Sequence, residues 1–412
     1  MIDTLRPDHL DLYGYPIQTA PFLAGLAERS AVFEAAYSTS SFTAPSTASF
    51  FTGLYPTRHG VIEGLVMHGR RGRDGSEEVV AEPEVLRINA LPREVATLPE
   101  HFRGLGYRTF GFSANPNVDR PMGFDRGFDV FACTAHTTAP KLIELVMQHR
   151  DEFRRSRPAF LYVHFMDPHA PRHAREPWYV AGGERVGDLR SRYDSEIRYL
   201  DHHLPELFEA LDWERNTLVL VLSDHGEEFM EHGQIGHRFS LHGEVNRVLL
   251  LLSGPEHGIA AGTVDTHVSL VDLVPTLLEL CGGAAPPDLD GLSLVPLLRG
   301  EPAPEAYRSR VLYAHRAEHH PEERHLWAAI RGRWKLIEDA RSAGPQLYHM
   351  ERDPGERSNV AGEVPQITAE LARRIAEFRA GGIRAPGERV EIPLDEPMLE
   401  LLQELGYTGD GS

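Results

Sequence analysis

The residues able to do chemistry in this sequence stand beside the ends of apolar runs. The run Leu218-Val-Leu-Val-Leu222 leads into Ser223-Asp224-His225-Gly226-Glu227. A near-continuous apolar run of this length fits a strand covered on both faces, so Asp224 and His225 fall at its carboxyl end. An adjacent carboxylate and imidazole there make a metal-binding pair; the plainer reading is a surface turn. A second segment, Thr43-Ala-Pro-Ser-Thr-Ala-Ser-Phe-Phe-Thr-Gly53, sets a hydroxyl just ahead of a helix with proline in its first turn and glycine past its end. The N–H groups and partial positive charge of that helix start would stabilise an alkoxide at Thr43 and the oxyanions of a bound ester. Metal coordination would lower the hydroxyl's pKa further. Taken alone, Thr43 is equally well a helix cap. Asp3, in Met1-Ile-Asp-Thr-Leu-Arg-Pro-Asp-His9, offers one more carboxylate.

These groups need a scaffold, and the chain alternates between strand and helix patterns. Helices are expected at Pro21–Arg29, Ser46–Thr52, Arg192–Leu211 and Leu270–Leu280, and after Thr97, which has capping-box spacing to Glu100. Strands are expected at Tyr107–Phe112, Ala159–Phe165, Leu218–Leu222 and Val248–Leu252. The alternation predicts an α/β, three-layer sandwich with a large mixed sheet flanked by helices. In open α/β sheets ligands bind at the carboxyl ends of the strands, and each of the three segments places polar residues next to an expected strand or helix end. Beyond about residue 300 the texture changes. Leu326–Arg331 and Trp334–Glu338 flank a Gly332-Arg333 turn, Gln346–Met350 is a third short strand, and Pro365–Arg379 and Met398–Leu405 are helical. We therefore divide the chain into a catalytic α/β domain over 1–300 and a small sheet-and-helix subdomain over 301–412. Gly69–Pro83 and Ala170–Arg190 have loop composition.

Composition narrows the function. The chain has 412 residues, 41% of them hydrophobic, and a net charge of −19. That balance argues against nucleic acid, whose phosphates need a basic face. No apolar run is long enough to span a membrane, no signal peptide is evident, and the expected compartment is the cytoplasm. The two cysteines, Cys133 and Cys281, fit neither a disulfide framework nor a zinc finger. Lysine occurs only at 141 and 335 among 42 basic residues, a compositional skew toward arginine. No feature sets an oligomeric state.

At this point the motifs resemble those of the sulfatase family, within the alkaline-phosphatase-like hydrolases. Asp3 through Tyr15 resembles the opening metal motif. Thr43–Gly53, continuing to Gly60, resembles the nucleophile motif, and His164-Phe-Met-Asp-Pro-His-Ala-Pro171 the central histidine motif. Ser223–Glu227 with Glu231-His-Gly233 resembles the second metal motif; Asp290–Leu298, Leu347–Glu356 and the ending Leu405-Gly-Tyr407 resemble later landmarks. The resemblance implies that Asp3, Asp224 and His225 bind one divalent metal which Thr43 also touches. It implies that Thr43 is the nucleophile and that His169 and His237 contact the substrate's charged group or protonate the leaving oxygen. The substrate would be a small-molecule, glycan or lipid ester.

Departures from the family pattern bear on that substrate. True sulfatases carry Cys or Ser at the position of Thr43, which becomes formylglycine; with threonine no formylglycine is expected. Thr47 stands where arginine is usual and is retained as a substrate-side residue. Leu54 and Ser113-Ala114 replace further cationic positions, and Thr4 replaces a second acidic ligand. A set of carboxylates, one imidazole and a hydroxyl favours zinc or manganese, with calcium as the alternative. These differences favour a phosphodiester or phosphonate over a sulfuric ester. Competing readings are a non-catalytic sulfatase-like binding protein and a phospho-group transferase. A two-metal isomerase or mutase would need Asp-x-x-x-His ligands that are not found. The family's first buried strand is missing ahead of Asp3, and a carboxylate so near the chain's start is expected to fray. Asp167 is expected to be a turn residue orienting His169. His59, His232 and His242 are open between surface and supporting roles, and Trp334 and Tyr348 are expected in the subdomain core.

Overall fold

A computed structural model describes residues 1–65, 70–71, 77–78, 85–156, 158–211, 213, 216–317, 325–339, 342–381, 389–393 and 396–404. Most of the expected loop Gly69–Pro83 and the ending Leu405–Tyr407 lie outside the described residues. In chain order, the elements that position the site are α1 (Pro21–Ala27), β1 (Ala31–Phe33), α2 (Thr43–Thr52), α3 (Leu98–Gly104), β2 (Arg108–Ser113) and β3 (Val130–Cys133). They continue with α4 (Ala139–Met147), β4 (Ala159–His164), α5 (Arg185–Leu211), β5 (Val219–Leu222), β6 (Leu250–Ser253), β7 (Gly262–Val264) and α6 (Leu273–Leu280).

One side of the sheet runs β3-β2-β4, all parallel. The other runs β5-β6-β1-β7, with β6 antiparallel to both of its neighbours and β7 parallel to β1. Ile2 joins the two halves through parallel bridges to Phe165 and Ser223, just past the ends of β4 and β5. Helices α2, α3 and α6 pack together as one layer, and α1, α4 and α5 as another; α3 and α4 both touch β2. This is the expected three-layer α/β sandwich. The capping box at α3 is formed, with the Thr97 amide donating to Glu100 Oε2 at 2.8 Å, a device worth about 1 kcal/mol.

Asp3 is not frayed. The Ile2 amide donates to the Leu222 carbonyl, the Asp3 amide to that of Phe165, and the Phe165 amide to that of Met1, each at about 3 Å. Asp3 is fully buried. The expectation failed because chain position alone ignores tertiary pairing: two strand ends clamp this segment from both sides. Between the same two strands, apolar side chains including Phe160, Tyr162, Val219 and Val221 wall a cavity of about 400 Å³. Asp3, Thr43 and Asp224 do not line it.

The later part of the chain builds a four-stranded antiparallel sheet from β8 (Leu312–Arg316), β9 (Leu326–Arg331), β10 (Trp334–Asp339) and β11 (Gln346–His349). Alternation divides its faces. Trp327, Ala329, Leu336 and Leu347 pack on Leu371 and Ile375 of α7 (Pro365–Ala380), while Ala314, Leu326, Ala328, Ile337 and Tyr348 enclose Leu241. Tyr348 and Trp334 are therefore core residues, as expected. Strand β8 was not read from the sequence.

Candidate active site

Helix α2 begins at Thr43 itself, with Phe42 as its cap, one turn-start earlier than the proline signal suggested. All ten of its residues are buried, and it ends where Gly53 takes a left-handed φ of 68°, a conformation glycine adopts at little cost. Thr43 thus offers its hydroxyl at the first helical position, among unpaired backbone N–H groups. Its Oγ1 lies 3.3 Å from His225 Nε2 and 3.4 Å from Asn115 Nδ2.

The loop after β5 is held from several directions. Ser46 on α2 donates its hydroxyl to the Asp224 carbonyl at 2.6 Å. The amides of Thr4 and His225 both donate to Asp224 Oδ1, at 3.2 and 2.9 Å. Gly226 and Glu227 pair their amides with the carbonyls of Val245 and Glu244. His225 Nδ1 lies 2.9 Å from the Gly226 carbonyl; a carbonyl only accepts, so Nδ1 carries the proton and Nε2 turns its lone pair toward Thr43.

Asp3, His164 and Asp224 are buried with potential ligand atoms all within 4.8 Å of one another. His225 Nε2 is 3.4 Å from Asp224 Oδ2 and 3.9 Å from Asp3 Oδ1. Asp3 Oδ1, Asp224 Oδ2 and His164 Nε2 have no hydrogen-bond partner. Orphaned buried atoms of this kind are costly unless something binds them, and two carboxylates with an imidazole fit a divalent cation. The charges are strongly coupled. Burial would raise Asp3, but the His164 ring, with Nε2 3.3 Å from Asp3 Oδ2, and the other imidazoles hold it below the usual carboxylate range. Asp224 is pushed up by burial and by Asp3. Burial opposes the proton on His225, but Asp224 and Asp3 outweigh it and raise its pKa.

His169 and His237 complete a row of imidazoles. The ring centres of His225 and His237 are 4.5 Å apart, and those of His237 and His169 5.3 Å. Burial, and next the neighbouring His225, pull His237 down to about 4. Its Nδ1 lies 3.5 Å from Glu227 Oε2, which also pairs with Arg172 at 2.7 Å. Thr47 lies one turn along α2, and its hydroxyl donates to Met1 Sδ at 3.6 Å. Thr4 is fully buried in a left-handed conformation, φ 53°, with its Oγ1 unpartnered. Strain of that kind in a β-branched residue is uncommon and gathers at functional sites.

Sequence reasoning missed four contributors. His164 was quoted within a motif but given no role; its place at the end of β4, opposite the end of β5, was the available signal. Asn115, two residues past β2, donates Nδ2 to both Asp3 and Thr43. The pair Arg172–Glu227 steadies His237. Arg316 comes from the unpredicted strand β8 and is buried with its guanidinium 5.0 Å from the Phe42 ring, which in turn is 5.8 Å from that of His237. A cation is thus present near the row of imidazoles, although the motif positions carry none. Asp167 lies in the turn before His169, and its Oδ1 accepts the Ala139 amide at the start of α4, at 3.0 Å.

The Sulfatase family model matches residues 1–284, and a model of the N-sulphoglucosamine sulphohydrolase C-terminal region matches residues 230–381. Mouse arylsulfatase K is 36% identical over 203 residues, which is 46% of this chain and 35% of that protein. The chain thus spans about a third of that relative. Choline-sulfatase from Rhizobium meliloti is 28% identical over 432 residues, covering 86% of this chain and 80% of its own. The fold matches that of the phosphonate monoester hydrolase of Agrobacterium radiobacter, with a TM-score of 0.74, 19% identity, and coverage of 96% of this chain and 99% of that one. Motif order, the layered sheet and a family match over more than half of the residues agree, and the chain belongs to the sulfatase family.

Proposed function

We propose that this protein is a metal-assisted hydrolase of a charged ester in which Thr43 Oγ1 is the attacking atom. The observation that carries this is the position of that oxygen: at a helix start, 3.3 Å from His225 Nε2 and beside the Asp3–His164–Asp224 cluster. A divalent ion, zinc or manganese in preference to calcium, held by Asp3, Asp224 and the imidazoles of His225 or His164, would polarise the ester and acidify the hydroxyl. The chain's own groups do the rest. His225, with its proton fixed on Nδ1, turns its Nε2 lone pair toward the metal position that Thr43 also faces. The Asn115 amide donates toward the same oxygen and favours its alkoxide form. Burial keeps His237 neutral until a negatively charged ester binds against it; the anion favours a proton on the ring, which can then pass to the leaving oxygen. His169 presents Nε2 on the same side, because its Nδ1 is held by the Ala170 carbonyl at 2.7 Å.

Threonine at position 43 supports a phosphodiester or phosphonate of a small molecule, glycan or lipid, since formylglycine does not form from it. The names of the sulfatase relatives favour a second reading, a sulfuric ester cleaved without formylglycine. Matched aryl sulfate, phosphomonoester, phosphodiester and phosphonate substrates, each with zinc, manganese and calcium, separate the two. Turnover of at least one is expected, and Thr43→Ala should abolish it while leaving the melting transition in place. Turnover unchanged in that variant would overturn the proposal. A folded chain that neither contains nor takes up a divalent metal would favour a non-catalytic binding protein.

A further inference from the structure

The carboxylates of Asp3 and Asp224 are each half engaged by the protein itself. Asp3 Oδ2 accepts from Asn115 Nδ2, and Asp224 Oδ1 accepts the amides of Thr4 and His225. The other oxygen of each acid has no hydrogen-bond partner, and neither has His164 Nε2. These three side chains are the ones whose ligand atoms gather within 4.8 Å of one another. Donors held about 2.1 Å from one tetrahedral zinc stand about 3.4 Å apart. His164 Nε2 is 3.3 Å from Asp3 Oδ2, and His225 Nε2 is 3.4 Å from Asp224 Oδ2.

The ring of His164 is held as a metal-binding histidine is. His164 is the last residue of β4, fully buried, and its carbonyl accepts the Ala114 amide at 2.9 Å. The ring is therefore carried on a paired strand. Its Nδ1 lies 2.9 Å from the Tyr162 hydroxyl, which reaches Met1 Sδ at 3.4 Å. A phenol has one proton. With that proton donated to Met1 Sδ, the phenol oxygen accepts from His164 Nδ1–H, and Nε2 keeps a lone pair. A ring nitrogen aimed at a cation while the other donates to a fixed oxygen is the pairing that orients histidine ligands.

We propose that His164 Nε2 is a ligand of the divalent cation, that Tyr162 positions it, and that this nitrogen makes the site select zinc over calcium. The inference rests on the metal-assisted reading above. Two carboxylates balance a divalent charge. The imidazole adds a donor without adding charge, and calcium, which takes oxygen donors, gains little from it.

The test is titration calorimetry on the full chain, first stripped with a chelator, with zinc and calcium in separate runs. His164→Ala is expected to weaken zinc at least about a hundredfold and to change calcium less than about threefold. Tyr162→Phe removes the acceptor for Nδ1 and should weaken zinc about tenfold. His164→Gln keeps a hydrogen-bond donor for Asp3 but no imidazole, so it should behave as the alanine variant does. Cobalt(II) gives a second readout. Each cobalt-bound imidazole contributes a shifted, exchangeable N–H signal to the proton NMR spectrum in water, and His164→Ala should show one fewer than the native chain. Melting of the metal-free proteins checks folding; if the alanine variant does not fold, His164→Gln and Tyr162→Phe decide. Native zinc affinity in His164→Gln, equal losses of zinc and calcium, or an unchanged cobalt spectrum would make His164 a hydrogen-bonding partner of Asp3 and overturn the assignment. So would a native chain that takes up no zinc. A chain that binds zinc through His164 yet cleaves none of the matched esters keeps the ligand and overturns the hydrolase reading instead.

Discussion

The Thr43 hydroxyl and the His225 ring come from elements 182 residues apart, yet Oγ1 and Nε2 approach to 3.3 Å in a fully buried setting. Each is fixed independently, Thr43 by the start of α2 and His225 by its Nδ1 bond to the Gly226 carbonyl. This preorganisation would give the proposed nucleophile its direction.

Replacing Thr43 by serine and by alanine should therefore have opposite outcomes. Thr43→Ser keeps an oxygen and should retain activity within about tenfold, whereas Thr43→Ala should lose on the order of 10⁴-fold or more in kcat. Steady-state kinetics on the best aryl ester checks both. Similar losses in the two would show that the methyl group, not the oxygen, matters.

The cluster of Asp3, His164 and Asp224 should bind metal measurably. Saturating zinc or manganese should raise the melting temperature, as linkage requires for a ligand of the folded state, by about 2.7 kcal/mol of stability at a hundredfold excess over Kd. Asp224→Asn should remove that response. Thr4→Asp would put a third hard carboxylate beside the site, in a left-handed conformation that aspartate tolerates better than threonine. It should shift preference toward calcium, read as the ratio of calcium to zinc affinity by titration calorimetry.

Gly226 lies where two backbones meet. A Cβ there would stand 2.0 Å from the Glu244 carbonyl oxygen. Gly226→Ala must push the Asp224–His225 loop away from residues 244–245, so metal affinity should fall along with stability. A destabilisation of about 3 kcal/mol or more is expected from backbone displacement of this kind. Chemical denaturation measures it, and a change under 1 kcal/mol would show that the loop yields freely.

His59 accepts the Val61 amide on Nδ1 at 3.1 Å, and its Nε2 lies 3.0 Å from Ser49 Oγ on α2. Burial drives its pKa down to about 3 from the ordinary 6.5. Between those values the unfolded chain holds a proton that the folded chain does not, so stability falls as pH drops from about 6.5 toward 3 and is unaffected by this group above 6.5. The full effect is on the order of 5 kcal/mol at the acid end. His59→Gln should flatten the slope between pH 4 and 7 in denaturant titrations. An identical slope in the variant would assign the acid sensitivity elsewhere.

The local code of this sequence is strong where one element carries its own signal. The apolar run Leu218–Leu222 announced a covered strand with Asp224-His225 at its end, Thr97 and Glu100 marked the start of α3, and Gly53 the end of α2. Periodicity and turn chemistry act over a few residues, so these were legible directly. Family motifs added Thr43, His169 and His237, and the fold draws them together with Asp3, Asp224 and His225.

What tertiary structure alone decided was which distant pieces meet. Asp3 is anchored because the ends of β4 and β5 hydrogen-bond its backbone from both sides, which no count of residues from the chain's start conveys. His164 and Asn115 reach the site because parallel strands bring their carboxyl ends to one edge of the sheet. Arg316 arrives from a strand with no clear pattern of its own, so a site whose usual cationic motif positions carry Thr47, Leu54 and Ser113-Ala114 has a cation nearby in space. Asp167, in the turn before His169, also accepts the Ala139 amide from a helix start across a crossover, a contact that local sequence does not convey. The sequence determined the candidate groups; contacts between residues far apart in the chain determined how they are charged and held.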